Sequence, residues 1–104
     1  MRYVTIMITT GDRVTAQSIS RKLIEEHLVA CANIFAVDSI YRWKGEVEEA
    51  QEQMVLMKAR KEDFPTIRDR IASMHPYEVP CIVCYDIAEG LPSYLSWVEG
   101  STER

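Results

Sequence analysis

The feature that most limits what this chain can fold into is a pair of long extended runs joined by a two-residue turn. Residues Ala30 to Trp43 (ACANIFAVDSIYRW) favour a strand, Lys44-Gly45 supplies the turn, and Glu46 to Arg60 returns as a second strand. Arms of about 14 residues, at about 3.3 Å per residue, reach roughly 45 Å. A domain of about 100 residues has a radius of gyration of only about 13 Å. Such a hairpin has to bend, bulge or project. A projecting ribbon exposes unpaired backbone edges and, here, the rings of Tyr41 and Trp43; the usual remedy is to pair those edges with another subunit. The length mismatch alone therefore predicts a homo-oligomer.

The rest of the chain surrounds this hairpin with alternating element types. Tyr3 to Thr9 is rich in Val, Ile and Thr and reads as a strand, which Gly11-Asp12 breaks to start a helix. From Val14 the spacing becomes helical, with Ala16, Ile19, Leu23 and Ile24 on one arc, and the helix is expected to end near Leu28, with His27 facing the negative end of its dipole. A second helix begins around Glu62-Asp63, tolerates Pro65 in its first turn, and buries Phe64, Ile67, Ile71 and Met74. His75-Pro76 ends it, because a residue before proline is pushed out of the helical region. Val79-Pro80 opens a last strand, CIVCYDI, and Pro92 starts a short closing helix that packs Tyr94, Leu95 and Val98.

The order is β-α-β-β-α-β with an extra C-terminal helix. It predicts an α+β, ferredoxin-like fold in one domain, 1–104, with an antiparallel four-stranded sheet covered on one face by two helices. That fold hosts many unrelated activities, so function has to be argued from sites.

The bulk chemistry excludes several classes. A net charge of −4 with scattered Lys and Arg argues against a nucleic-acid surface, and no apolar run approaches the roughly 20 residues of a membrane span. The N-terminus alternates like a strand and lacks a signal-peptide cleavage site, so a cytoplasmic protein is expected. Three cysteines, an odd number, suit reduced thiols better than a disulfide framework.

The segment SMHPYEVPCIVCYD, Ser73 to Asp86, offers a histidine, a glutamate and a Cys-x-x-Cys, all able to hold a metal. On a strand, however, an odd separation of three puts Cys81 and Cys84 on opposite faces, with Cα atoms about 10 Å apart, so they neither chelate one ion nor form a disulfide. One is expected in the core and the other across the sheet. Cys31, His75 and Glu78 remain as candidate ligands, beside the carboxylates Glu46, Glu48, Glu49 and Glu52, which as a run read as a solvated face. Catalytic signals are thinner still: no nucleophile elbow, phosphate-cradling glycine loop or paired zinc histidines occurs, and Cys31 with His75 as base is only a distant option.

Three motifs then carry a resemblance. LVACANI (Leu28 to Ile34), SIYRWKGEVE (Ser39 to Glu48) and HPYEVP (His75 to Pro80) are similar, in order, to signatures of the divalent-cation-tolerance, or CutA, family, and the flanking Lys58 and Tyr94 to Trp97 are similar as well. The resemblance implies a tight homotrimer like the trimeric PII signalling proteins, tolerance of copper and other divalent cations with copper binding, and no secure enzymatic reaction. By residue, it implies that Cys31, Trp43, Lys58, His75, Tyr77 and Glu78 gather around clefts between subunits, with Tyr41 and Trp97 in the same cleft or interface set. Two positions depart from the family pattern, since Cys81 stands where a glutamate is common and Ala59 follows Lys58 in place of a threonine. The expected function is thus a non-enzymatic, trimeric, copper-binding or other divalent-cation protein with metal donors Cys31, His75 and Glu78. The alternative is a PII-like regulatory module whose clefts take a small metabolite or a partner protein.

Overall fold

The computed structural model describes residues 2–104. Strand β1 (Tyr3–Thr10) alternates half-buried and buried along its whole length, and helix α1 (Arg13–Glu25) follows at once. Asp12 caps that helix, its carboxylate accepting the Thr15 amide at 2.7 Å, and this hydrogen bond holds its carboxyl below the usual range. The helix stops three residues short of Leu28. His27 takes a left-handed φ of 58°, and the His27 and Leu28 amides reach back to the Ile24 and Leu23 carbonyls, both at 3.0 Å, which closes a Schellman cap. His27 therefore sits two residues past the helix end, with its ring near the Ser101 carbonyl at 3.4 Å.

Strands β2 (Cys31–Trp43) and β3 (Glu46–Arg60) form the long hairpin in continuous register from Cys31 opposite Lys58 to Trp43 opposite Glu46. The turn places Lys44 at φ 50° and Gly45 at φ 81°, a pair of left-handed residues that matches the right-handed twist of the arms. A 3-10 turn, Lys61–Asp63, leads into α2 (Phe64–Met74), so the acidic pair Glu62-Asp63 precedes the α-helix proper. Extended His75 ends α2, β4 spans Ile82–Asp86, and α3 (Pro92–Ser101) closes the chain.

The sheet order is β2-β3-β1-β4, all antiparallel, which is the ferredoxin-like arrangement. One face is covered by α1 and α2. There Val4, Ile6 and Ile8 of β1 meet Val55, Met57 and Ala59 of β3, and Ile19, Leu23, Ile67 and Ile71 close over them, all essentially inaccessible. Phe64 and Met74 pack only partly buried at the margin of this core, and Cys84 joins them there. The opposite face is covered only at one end, by α3, and otherwise presents apolar side chains, among them Phe35, Val83 and Tyr85.

Beta1 pairs with β3 only over Gln53 to Arg60, so beyond that the hairpin runs on as a two-stranded ribbon. The projection stretches the molecule to 44 Å against 25 and 21 Å on the other axes. Among the described residues no helix is long and apolar enough to cross a membrane.

Candidate functional site

The residues singled out in the sequence divide into two groups at opposite ends of the open sheet face. At the end covered by α3, Cys31 and Lys58 are cross-strand neighbours, with Lys58 Nζ 4.0 Å from the Cys31 sulfur and 3.2 Å from the Asn33 side-chain oxygen. The Tyr94 hydroxyl lies 3.5 Å from the same sulfur, and its ring is 5.7 Å from that of Trp97. The hydrogen bond to Cys31, and then burial, push the Tyr94 hydroxyl up to about 12.

The other end is a cleft between the hairpin ribbon and the segment 75–81. Its cavity measures about 860 Å³ and is lined by Tyr41, Trp43, Glu52, Tyr77, Glu78 and Cys81, among others. The Tyr77 hydroxyl donates to Glu52 Oε2 at 2.8 Å; burial and then this bond push that hydroxyl up to about 12. Glu52 itself is only 6% exposed. Glu46, Glu48 and Glu49 are each exposed, but Glu52 departs from the solvated reading because the Tyr77 ring folds over it. Burial, and then the charge of Glu52, push the Cys81 thiol up. Gly11 makes room for this arrangement, since a Cβ there would lie 3.1 Å from the Tyr77 hydroxyl oxygen.

His75 supports this cleft from beneath. Its Nε2 faces the Thr9 carbonyl at 2.7 Å, an acceptor, so Nε2 carries the proton; its Nδ1 accepts the Tyr77 amide at 3.1 Å. Both ring nitrogens are thus engaged, which fixes one neutral tautomer and holds the Tyr77 ring 4.7 Å away. Glu78 points to solvent at the rim, 3.9 Å from Lys44 Nζ, which also lies 5.7 Å from the Trp43 ring centroid.

The proposed donors Cys31, His75 and Glu78 do not converge within one protomer. Cys31 aligns across the sheet with Thr5, whereas His75 bonds Thr9, four strand residues and roughly 13 Å further along. Among the described residues no group of three or more His, Cys, Asp or Glu is placed to hold a metal ion. A single chain therefore does not fit a metal on these donors. Cys81 and Cys84 lie as the alternation predicts, Cys84 against the core and Cys81 in the cleft wall on the other side, and all three thiols are free. Asp38 and Arg42 are cleft residues that no motif singles out, and Glu52, read in the sequence as one of a solvated run of carboxylates, is the third; a hint for it is that it shares strand parity with Met54 and Leu56.

Residues 4–101 match the family model described as CutA1 divalent ion tolerance protein. The chain belongs to the CutA1 family. It is 44% identical over 98 residues, covering 93% of this chain and 95% of its relative, to the divalent-cation tolerance protein CutA of Thermus thermophilus. It is 35% identical to human protein CutA, over 92% of this chain and 54% of that longer protein. Among solved structures, the periplasmic divalent cation tolerance protein CutA from Archaeoglobus fulgidus superposes with a TM-score of 0.95 at 37% identity, covering 97% of this chain and 99% of that one. The CutA1 pattern thus extends over both groups of site residues, from Cys31 to Trp97.

Proposed function

We propose that this CutA1 chain works as a cytoplasmic homotrimer, without catalysis, that takes copper or another divalent cation at clefts between its subunits. The observation that carries the reading is the division of the site into two half-clusters at the ends of an apolar sheet face that only α3 covers, at one end. Cys31, Lys58, Tyr94 and Trp97 hold one end; Tyr41, Trp43, Tyr77 and Glu78 hold the other, where Tyr77 meets Glu52 six strand residues, or roughly 20 Å, from Lys58. Both sheet edges, β2 and β4, have unpaired backbone groups, and a head-to-tail pairing of such edges closes into a ring when the rotation fits. In such a ring the half-clusters of neighbouring chains become adjacent.

Of the three donors, Cys31 and Glu78 keep lone pairs for a cation, while His75 acts as a positioning residue for Tyr77. A thiolate and a carboxylate suit copper and zinc. Three free thiols favour a reducing compartment. The test is a competition titration of copper(I), and in parallel of zinc(II), against chromogenic chelators, with sedimentation run on the same sample. A trimer whose stoichiometric binding of either metal is lost in Cys31→Ala supports the reading; a monomer, or undiminished binding, removes it.

One observation favours a second reading, a PII-like module whose cleft takes a small metabolite. The 860 Å³ cavity is already formed within one chain and is far larger than a metal ion requires.

A further inference from the structure

We infer that the cleft between the hairpin ribbon and the segment 75–81 binds an organic cation, with an ammonium or guanidinium head seated on Glu52 beside the Tyr77 ring, in a cavity that Tyr41 and Trp43 also line. The inference rests on the second reading above, a small-ligand cleft, and names the chemistry of its ligand.

Its starting point is Glu52. A carboxylate that is 6% exposed ordinarily has a cationic partner or several hydrogen bonds, because an isolated buried charge is costly. Among the described residues Glu52 has no ion pair within 4.0 Å, and its single side-chain hydrogen bond is the one Tyr77 donates to Oε2. Oε1 has no protein partner, and the residue lines the cavity. The carboxylate is therefore left with acceptor capacity facing a space large enough for a small molecule.

The walls supply what a cationic head prefers. Tyr77 sets an aromatic ring beside Glu52, and Tyr41 and Trp43 add two more to the lining further along the ribbon; the negative faces of such rings attract ammonium and guanidinium groups. The ionisable lining is acidic in balance, with Asp38, Glu52 and Glu78 against Arg42. Arg42 is turned away to the hairpin tip, where its guanidinium donates to the Gly45 carbonyl at 3.3 Å, and Lys44 at the rim answers Glu78. Among the described residues of one chain, no basic side chain thus competes for Glu52. An anionic ligand would meet an uncompensated buried carboxylate; a cationic one completes it.

The test uses a matched pair of probes, phenethylammonium and its uncharged counterpart 2-phenylethanol, titrated calorimetrically into the full chain in chelator-treated buffer. The expected result is measurable binding of the ammonium and at least about tenfold weaker binding of the alcohol. Glu52→Gln keeps an acceptor for Tyr77, removes the charge, and abolishes that preference. Tyr41→Leu, at a 42% exposed ring where folding is not at stake, weakens the ammonium about threefold to tenfold. Equal affinity for the two probes removes the charge preference and leaves a small-ligand cleft, whereas binding of neither removes both, so the inference and the reading beneath it fail separately. Equal affinity for the two probes, absence of ammonium binding, or an ammonium preference that survives in Glu52→Gln overturns the inference.

Discussion

The two ends of the β2-β3 hairpin have the same backbone pairing and very different surroundings. Between Gln53 and Arg60, β3 is flanked by β1 and covered by α1 and α2, so Val55, Met57 and Ala59 are inaccessible. Between Val37 and Glu52 it is a bare ribbon, where Ile40 is 70% and Val47 63% exposed. Two-stranded ribbons are marginal in water, so the distal part borrows its order from the continuous register that anchors it. The difference teaches that one strand serves two purposes. Its proximal half is packing; its distal half is a wall that shapes the cleft and an edge for assembly.

Substitutions can break or sharpen that contrast. The largest effect is expected in the packed half, where Ile6→Ala removes a fully buried side chain and costs about 2–5 kcal/mol in urea denaturation. A comparable loss, about 3 kcal/mol, is expected for Asp63→Ala. That carboxylate, 10% exposed in its side chain, pairs with Arg104 at 2.6 Å and Arg60 at 3.5 Å, and its removal strands Arg60 where it is buried.

At the root of the cleft the expected effect is smaller. Tyr77→Phe deletes one hydrogen bond to Glu52 and should cost about 1–2 kcal/mol. It also carries a pH signature. Tyr77 and Tyr94 hold their protons up to about 12 when folded, against an ordinary value of 10.0, so between those limits the unfolded chain has released protons that the folded chain keeps. Stability conferred by these hydroxyls is complete below pH 10 and falls as pH rises towards 12. Chemical denaturation across that window should show a shallower decline in Tyr77→Phe, and an unchanged slope would assign the proton uptake elsewhere.

At the hairpin tip, Gly45→Ala is expected to cost about 1 kcal/mol, through the left-handed φ of 81° alone, since an added Cβ meets nothing within 4 Å. The smallest effect expected of an isolated chain is Ile40→Ala, below about 0.5 kcal/mol at a surface position. A trimer changes that ordering. If Ile40→Ala lowers the denaturation midpoint by as much as Ile6→Ala, and does so only at low protein concentration, the ribbon is buried by a neighbouring copy.

Much of the fold was legible because its signals are local and periodic. Alternation located β1, the 3.6-residue arc located α1, His75-Pro76 ended α2, and the turn at Lys44-Gly45 set the hairpin register. The early end of α1 was not legible. It depends on His27 adopting a left-handed conformation usually left to glycine, a choice stabilised by Leu28 entering the core three residues past the end of the helix. The site was legible only as a set of names. Tyr41, Trp43, Tyr77 and Glu78 do meet around one cleft, but Cys31, Lys58 and Trp97 stand at the far end of the sheet, and His75 spends both nitrogens on backbone groups.

The sequence by itself determined the element order, the separation of Cys81 from Cys84 and the length of the ribbon, because strand alternation, helical spacing and rise per residue are properties of neighbouring residues. Only the tertiary structure decided that Glu52, one of four similar glutamates on a single arm, is the buried one. Burial there depends on Tyr77, 25 positions away in the chain, folding over it from a segment held in place by His75. No periodicity in the arm itself encodes that contact.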